Sequence, residues 1–173
     1  APSTAPAPAA APPAAPAPAA APKAPSAEAQ ARVRQGFSYI ANAKNASNRT
    51  NFDENVDNAI REFSQAIQID PAYAEAYSSR AVAYMQQKKF NKAGEDLKKA
   101  LELAPASPAI HYNMACLHSL NGNVDLALDE VDTALARGFS EYDALRLDPD
   151  LANARKHPEF RKVLEKHKVF IVK

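Results

Sequence analysis

One segment, residues 74–107, limits the fold of this chain more than any other. Its first half spaces apolar side chains by three and four residues, at Tyr77, Ala81 and Tyr84. Its second half repeats that spacing and ends in a proline, at Ala93, Leu97, Ala100, Leu101 and Pro105. Such spacing places the side chains on one face of an α-helix. The segment therefore predicts two helices joined by a short turn, and a pair of this size is stable only when it stacks on a neighbouring pair.

The order of bulky and small side chains in this segment resembles the tetratricopeptide repeat (TPR) family. The departures are Arg80 and Ala81, which stand where the family pattern prefers Leu and Gly. The resemblance implies an all-α fold, a right-handed superhelix of antiparallel helix pairs that binds other proteins. It does not identify the partner.

Two further helix pairs are predicted beside this one. The first covers about residues 27–73 and places its apolar residues at Val33, Phe37, Ile40, Ala59, Phe63 and Ala66. The third covers about residues 108–141, with small residues at Ala115, Ala127 and Ala134. A helical array needs a cap over its last apolar face. We therefore predict capping helices over residues 142–173, and a folded TPR domain over residues 26–173.

The first pair contains an insertion near residues 42–52. Gly36 and Ala59 are 23 positions apart, whereas the equivalent Ala81 and Ala93 are 12 positions apart. The insertion is rich in asparagine, which disfavours helix interiors and prefers caps and turns. We therefore expect the first helix to end near Ala46 and a polar surface loop to follow, with a functional loop as the alternative.

Residues 1–25 differ in composition from the rest of the chain, since only Ser3, Thr4 and Lys23 are neither Ala nor Pro. Proline lacks an N–H and fixes φ, so this segment cannot form a helix and has little to bury. We expect a disordered, extended linker ahead of the domain. The chain begins with Ala rather than Met, and we interpret this as a removed leader, a lipid-anchored start or an upstream domain.

The distribution of charge argues against several classes of partner. The 21 basic and 20 acidic residues give a net charge of +1, so no nucleic-acid partner is expected. The chain has no apolar stretch of about 18 residues, so we expect no membrane insertion. Residues 125–150 hold eight acids and residues 151–173 hold seven Lys or Arg. We expect these adjacent helices to neutralise each other, and a basic docking face for an acidic partner is the alternative.

No catalytic residue, metal site or cofactor is predicted, so the protein is not expected to be an enzyme. Cys116 and His118 are two residues apart on one helix and point to different faces, which prevents a nucleophile–base pair. His111 and His118 share a face but are about 10 Å apart along the helix, too far for one metal ion. We expect Cys116, the single cysteine, to be a small apolar packing or groove residue.

The resemblance also implies where a partner binds, because the first helix of each TPR pair lines a concave groove. The implied groove residues are Val33, Phe37 and Ile40 in the first pair, Ser78, Val82, Met85 and Gln86 in the second, and Tyr112, Asn113, Cys116 and Ser119 in the third. This mostly apolar surface suits an extended or helical peptide of a partner protein. The alternative is that the chain's own tail, residues 169–172, fills part of the groove.

These expectations favour a non-catalytic scaffold or adaptor that binds a peptide segment of a partner. An Ala/Pro spacer is familiar in bacterial envelope proteins, so we favour the periplasm or envelope, in secretion or pilus assembly, with the cytoplasm left open. Two alternatives remain. In the first, the domain is the targeting domain of a larger enzyme, joined to it through the Ala/Pro linker. In the second, it is a structural module whose copies associate with one another.

Overall fold

The computed structural model describes residues 23–169, which leaves most of the expected linker and residues 170–173 outside the described part. Within residues 23–169 the regular structure is helical and includes no strand. The helices are α1 Ala27–Lys44, α2 Arg49–Ile69, α3 Ala74–Gln86, α4 Phe90–Leu103, α5 Pro108–Leu120, α6 Val124–Ala136, α7 Tyr142–Leu147, α8 Ala152–Arg155 and α9 Pro158–Lys166, with a 3-10 turn at Pro149–Leu151 between α7 and α8.

Side-chain caps set where the first helices of two pairs begin. The Ser26 hydroxyl accepts a hydrogen bond from the Ala29 N–H at 3.2 Å at the start of α1. The Ser107 hydroxyl accepts from the Ile110 N–H at 3.5 Å ahead of Pro108, the first residue of α5. Serine satisfies a free N–H at a helix start, and proline loses nothing at the first helical position. Local sequence therefore determines these two boundaries.

The turns inside the second and third pairs share one backbone feature. Gly122, between α5 and α6, has φ +76°, and Lys88, between α3 and α4, has φ +58°. Both residues occupy the same place in their repeats. Glycine adopts this left-handed conformation without cost, whereas a side chain disfavours it. The repeat geometry therefore requires this conformation even where the sequence does not supply glycine.

The polar loop after the first helix is shorter than the sequence predicted. α1 ends at Lys44, close to the expected position, but α2 begins at Arg49, so only residues 45–48 separate the two helices. The Asn48 side chain caps α2 by accepting a hydrogen bond from the Asn51 N–H at 2.8 Å. Residues 42–44 thus belong to α1 and residues 49–52 to α2, so most of the insertion lengthens the two helices instead of forming a loop.

The apolar side of α2 explains why the insertion is helical. Phe52 packs partly buried against the core of the first pair, and Val56, Ala59 and Phe63 continue the same stripe with no exposed surface. Burial of a stripe of this length outweighs the low helix propensity of Asn, which is a few tenths of a kcal/mol to about 0.7 kcal/mol per residue. Tertiary packing therefore overrides the local preference.

The helices stack as an array of antiparallel pairs. α1, α3 and α5, the first helices of the three pairs, contact one another in that order, and α2 and α4 pack against the first helix of the following pair. The small residues that the repeat pattern requires are fully buried between helices: Ala59, Ala66, Ala81, Ala93, Ala100, Ala115, Ala127 and Ala134. Alanine at these positions lets neighbouring helices approach closely, which is why each pair stacks on the next.

The C-terminal elements cover the last pair. Leu145, Leu151, Phe160 and Leu164 from α7 to α9 are buried in the same core as α5 and α6. On the surface, Asp132 of α6 accepts hydrogen bonds from Lys166 Nζ at 2.7 Å and from His167 Nε2. At Asp132 the acidic α6 and the basic C-terminal end thus neutralise each other, as the charge pattern predicted, whereas Arg161 and Lys162 pair with Glu165 and Glu159 within α9.

Replacing Asp132 with Asn is expected to cost about 0.5–1 kcal/mol of stability at pH 7, because it removes a partly exposed ion pair between α6 and α9. Hydrogen bonds from Lys166 and then His167 lower the pKa of Asp132 below its ordinary value. The contribution is therefore present above the unfolded-state pKa of about 3.9 and is lost as the pH falls through the lower folded-state pKa. Urea unfolding of the parent and the variant at pH 7 and pH 2 measures this contribution. If the difference in their free energies of unfolding is as large at pH 2 as at pH 7, the ion pair of Asp132 is not its cause.

Candidate functional site

The predicted groove residues of the second and third pairs come together between α3 and α5. The Asn113 side-chain amide donates a hydrogen bond to the Ser78 hydroxyl at 2.8 Å. Ser78 is buried, whereas Asn113 remains half-buried. The two helices therefore lie side by side in one layer, with polar side chains joining them.

The eleven predicted groove residues divide into two groups by exposure. Phe37 exposes 45% of its surface, and four others are half-buried: Ile40, Val82, Gln86 and Asn113. The remaining six are buried within the domain: Val33, Ser78, Met85, Tyr112, Cys116 and Ser119. A partner can reach the first group without any rearrangement of the fold. The second group forms the floor of the layer and packs inside the protein.

The capping segment covers the third pair's share of the groove. The Tyr112 hydroxyl donates a hydrogen bond to Asp148 Oδ2 at 2.7 Å. The Ser119 hydroxyl accepts a bond from the Ala154 N–H at 3.3 Å, and Asn153 Nδ2 donates to the Ser119 carbonyl at 2.9 Å. The chain therefore covers this part of the groove with residues 148–154.

The expected occupation of the groove by residues 169–172 falls mostly outside the described residues. Val169 is described and is buried in the same core as Leu164, whose carbonyl accepts its N–H at 2.9 Å. It continues the C-terminal cap after α9. Residues 170–172 lie beyond the described part of the chain.

The buried side chains of the third pair stay neutral. Burial raises the pKa of the Cys116 thiol well above its ordinary value, and the nearby Asp148 carboxylate adds to the shift. Burial, the neighbouring Cys116 and the hydrogen bond to Asp148 likewise raise the pKa of the Tyr112 hydroxyl. The thiolate is the reactive form of cysteine, so Cys116 has none of the features of a nucleophile.

The ring of His111 is held on both sides by oxygen atoms. His111 Nδ1 lies 2.7 Å from Glu130 Oε2, and Nε2 lies 2.9 Å from the Pro105 carbonyl. His111 thus connects α5 to α6 and to the preceding turn.

Over the described range, no three His, Cys, Asp or Glu side chains form a group that could hold a metal ion. No helix of that range is both long and apolar enough to cross a membrane.

The structure also contains a cleft that the sequence did not predict. It lies between the first turns of α3 and α5, has a volume of about 460 Å³, and is lined mainly by small and apolar side chains, including Tyr73, Ala74, Ala104, Ala109 and Ile110. Ser78 also lines the cleft, which therefore continues into the predicted groove. Helix periodicity could not reveal this cleft, because turns between repeats form much of its wall.

Family comparisons match the central repeats of the chain. Two family models described as Tetratricopeptide repeat match residues 74–107 and 97–129, and one described as TPR repeat matches residues 54–88. A curated relative, Tetratricopeptide repeat protein 36 of Caenorhabditis briggsae, is 48% identical over 50 residues, which are 29% of this chain and 28% of that protein. The chain thus spans less than a third of this relative's length.

Two solved structures have the same fold. A thermophilic TPR protein of Thermus thermophilus aligns with a TM-score of 0.64 at 23% identity, over 79% of this chain and 64% of that one. The first TPR of Spaghetti (RPAP3), bound to the HSP90 peptide SRMEEVD, aligns with a TM-score of 0.56 at 19% identity, over 80% of this chain and 92% of that one. Identities this low show a common fold and nothing about a common ligand.

Proposed function

We propose that this chain, whose residues 54–129 match tetratricopeptide-repeat family models, is a non-catalytic scaffold that binds a segment of a partner protein over α1 and α3. The observation that carries the proposal is the apolar surface left accessible on these helices. Phe37 exposes 45% of its surface, and Ile40 and Val82 are half-buried. Accessible apolar side chains on two helices in contact, such as α1 and α3, are a common feature of protein-binding sites.

The accessible side chains indicate which chemistry the partner segment has. Phe37, Ile40 and Val82 offer apolar contacts, and the half-buried Gln86 and Asn113 beside them are uncharged polar side chains. None of these five carries a charge. The domain of Spaghetti is bound to a peptide that ends in acidic residues, SRMEEVD. A segment anchored by apolar side chains suits the present surface better, because an acidic peptide gains most from Lys or Arg at the binding positions.

The proposal is tested by substituting Phe37 and Val82 together with Glu in the full chain. Phe37 is exposed and Val82 is half-buried, so the domain is expected to keep its helical circular dichroism while binding to a captured partner weakens at least about tenfold, the loss of roughly 1.4 kcal/mol. Met85 is unsuitable for this purpose, since only 4% of its surface is exposed and a buried Glu would unfold the domain.

The matched control is Leu126→Glu, which replaces another exposed apolar residue, in the first turn of α6 and away from α1 and α3. Affinity capture from lysate identifies the partner, and calorimetry with the purified partner gives the affinity of each variant. Equal binding by the parent and the Phe37/Val82 variant would overturn the proposed surface. Weaker binding by the Leu126 variant would move the site to α6.

The proposed setting is the bacterial envelope, where the domain would work as an adaptor in secretion or pilus assembly. The support is the Ala/Pro composition of residues 1–25, which suits a spacer between an anchor and a binding domain. Fractionation of cells that express the full gene tests this setting. Recovery in the cytoplasm would contradict it, and an upstream enzyme domain in the same gene would favour the targeting alternative.

Self-association is a second candidate function, favoured by the exposed apolar residues of α7. Leu147 exposes 66% of its surface and Tyr142 exposes 47%. Light scattering across a range of concentrations tests it, with Leu147→Glu as the variant. A mass that rises with concentration in the parent only would support association through α7, and a strict monomer would exclude it.

A further inference from the structure

We propose that residues 1–22 of the chain bind in cis in the cleft between α3 and α5 and along the adjoining groove. This segment would then be an internal ligand that a partner protein must displace. The inference rests on the proposed binding surface. It adds that residues 1–22 compete with the partner protein for that surface.

The segment joins the domain at the edge of the cleft. Lys23, Ala24 and Pro25, the residues that immediately follow it, already form one wall of the cleft. Two hydrogen bonds hold them there: Gln30 Nε2 donates to the Pro25 carbonyl at 2.8 Å, and the Ser26 N–H donates to Asp70 Oδ2 at 3.3 Å. Residues 1–22 therefore start from the cleft itself.

The composition of the segment fits the lining of the cleft. Residues 1–22 consist of Ala and Pro except for Ser3 and Thr4, and they carry no charged side chain. Small apolar side chains match the Ala74, Ala104 and Ala109 walls of the cleft. The cleft also contains Tyr73, and aromatic side chains are the usual contacts of proline-rich segments in protein grooves. Prolines lack an N–H, so binding leaves fewer backbone donors to satisfy.

The segment is long enough to reach the whole groove, and its attachment keeps it at a high local concentration. In an extended polyproline conformation, 22 residues span roughly 68 Å at about 3.1 Å each. A 13-residue helix such as α3 is about 20 Å long. The segment can therefore reach every part of the groove from its attachment point. A tether of this length gives an effective concentration in the millimolar range, enough for a weak contact to be occupied.

The test uses a nitroxide spin label on the full chain. The label is attached at Ala15→Cys in a Cys116→Ala background, and amide relaxation is measured by NMR before and after the label is reduced. We expect about threefold loss of signal for residues 73–78 and 109–113, with little loss in α9, because the effective concentration holds the segment in the cleft. Equal broadening of α9 and the cleft would overturn the inference.

A matched pair of variants separates docking from simple proximity. Ala109 is exposed and lines the cleft, and an acidic side chain in the first turn of a helix is favourable, so Ala109→Glu blocks the cleft and keeps the fold. Leu126→Glu places the same side chain in the first turn of α6, outside the cleft. Broadening of the cleft residues is expected to fall to the level that tethering alone gives in the Ala109 variant, and to stay unchanged in the Leu126 variant. Its persistence in the Ala109 variant would refute docking in the cleft.

Partner binding distinguishes this inference from the proposed function. Replacing Pro16, Pro18 and Pro22 with Ser keeps the length of the segment but removes its fixed φ angles. If the segment competes with the partner, this variant binds the partner about threefold more tightly than the parent. If affinity is unchanged while the Phe37/Val82 variant still fails to bind, the cis ligand is wrong and the binding surface stands.

Discussion

Replacing Arg80 with Leu is expected to destabilise the domain by about 3–5 kcal/mol, although Leu is the residue that the repeat pattern prefers at this position. The guanidinium makes two parallel bonds to Asp96, Nε to Oδ2 and a terminal nitrogen to Oδ1, both at 2.7 Å. It donates a third bond to the Ser64 hydroxyl at 3.1 Å. Asp96 is only 7% exposed, so the substitution leaves a buried carboxylate without its partner.

The groups around Arg80 stabilise its positive charge and fix the position of its guanidinium. The hydrogen bond with Asp96 raises the pKa of Arg80 above its ordinary value. The rings of Tyr77 and Tyr84 lie 5.9 and 5.8 Å from its guanidinium carbon. Since Ser64 belongs to α2 and Asp96 to α4, Arg80 on α3 connects the first pair to the second. The network therefore ties neighbouring repeats together.

The control for Arg80 is the double variant Arg80→Leu/Asp96→Leu, measured beside both single variants by urea unfolding. Removing both charges avoids an unpaired ion, and such replacements are often neutral, so we expect stability within about 1 kcal/mol of the parent. The single variants should each be much less stable than the double variant. If Arg80→Leu alone matches the parent, the ion pair makes no net contribution to stability.

The second large effect is expected from Gly36→Ala in α1. A Cβ atom at this position would overlap the ring of Phe63, which is fully buried between α1 and α2. Phe37 packs edge-on against the same ring, with centroids 5.6 Å apart, so the ring is confined on a second side. Helix propensity alone would stabilise the variant by about 1 kcal/mol. We expect the overlap to outweigh this gain and to destabilise the domain by about 1–3 kcal/mol.

Gly94→Ala is the matched control, since Gly94 is also inside a helix. A Cβ atom there would lie 3.6 Å from Leu117 Cδ2, an ordinary contact. The variant is therefore expected to gain about 0.5–1 kcal/mol from helix propensity. If close packing against Phe63 requires glycine at position 36, thermal unfolding will show a lower melting temperature for the Gly36 variant and a higher one for the Gly94 variant. A stabilised Gly36 variant would show that Phe63 can move aside.

The repeats themselves could be predicted from local patterns. Ala81, Ala93 and Ala100 follow helical spacing in the sequence, and all three are buried between helices in the structure. Ser107 followed by Pro108 predicts a helix start, and α5 begins there. These features depend on residues within one or two helical turns, which is why sequence reasoning reaches them.

The extent of the open groove could not be predicted in the same way. Periodicity places Tyr112, Cys116 and Ser119 on one face of α5, but residues 148–154 cover that face. The contacts join residues more than 30 positions apart. The prediction of a long polar loop in the insertion was wrong for a related reason. The core contacts of α2 outweigh the turn preference of the asparagines in the insertion.

The sequence by itself determined the helical repeats, their small buried residues and the repeat pattern that the tetratricopeptide-repeat family models match. These follow from side-chain spacing, which acts along a single helix. The tertiary structure alone decided which groove residues stay accessible, where the cleft lies and that Arg80 spans two repeats. Accessibility and ion pairing depend on segments that are distant in the chain but adjacent in space, and no local pattern records which segments meet.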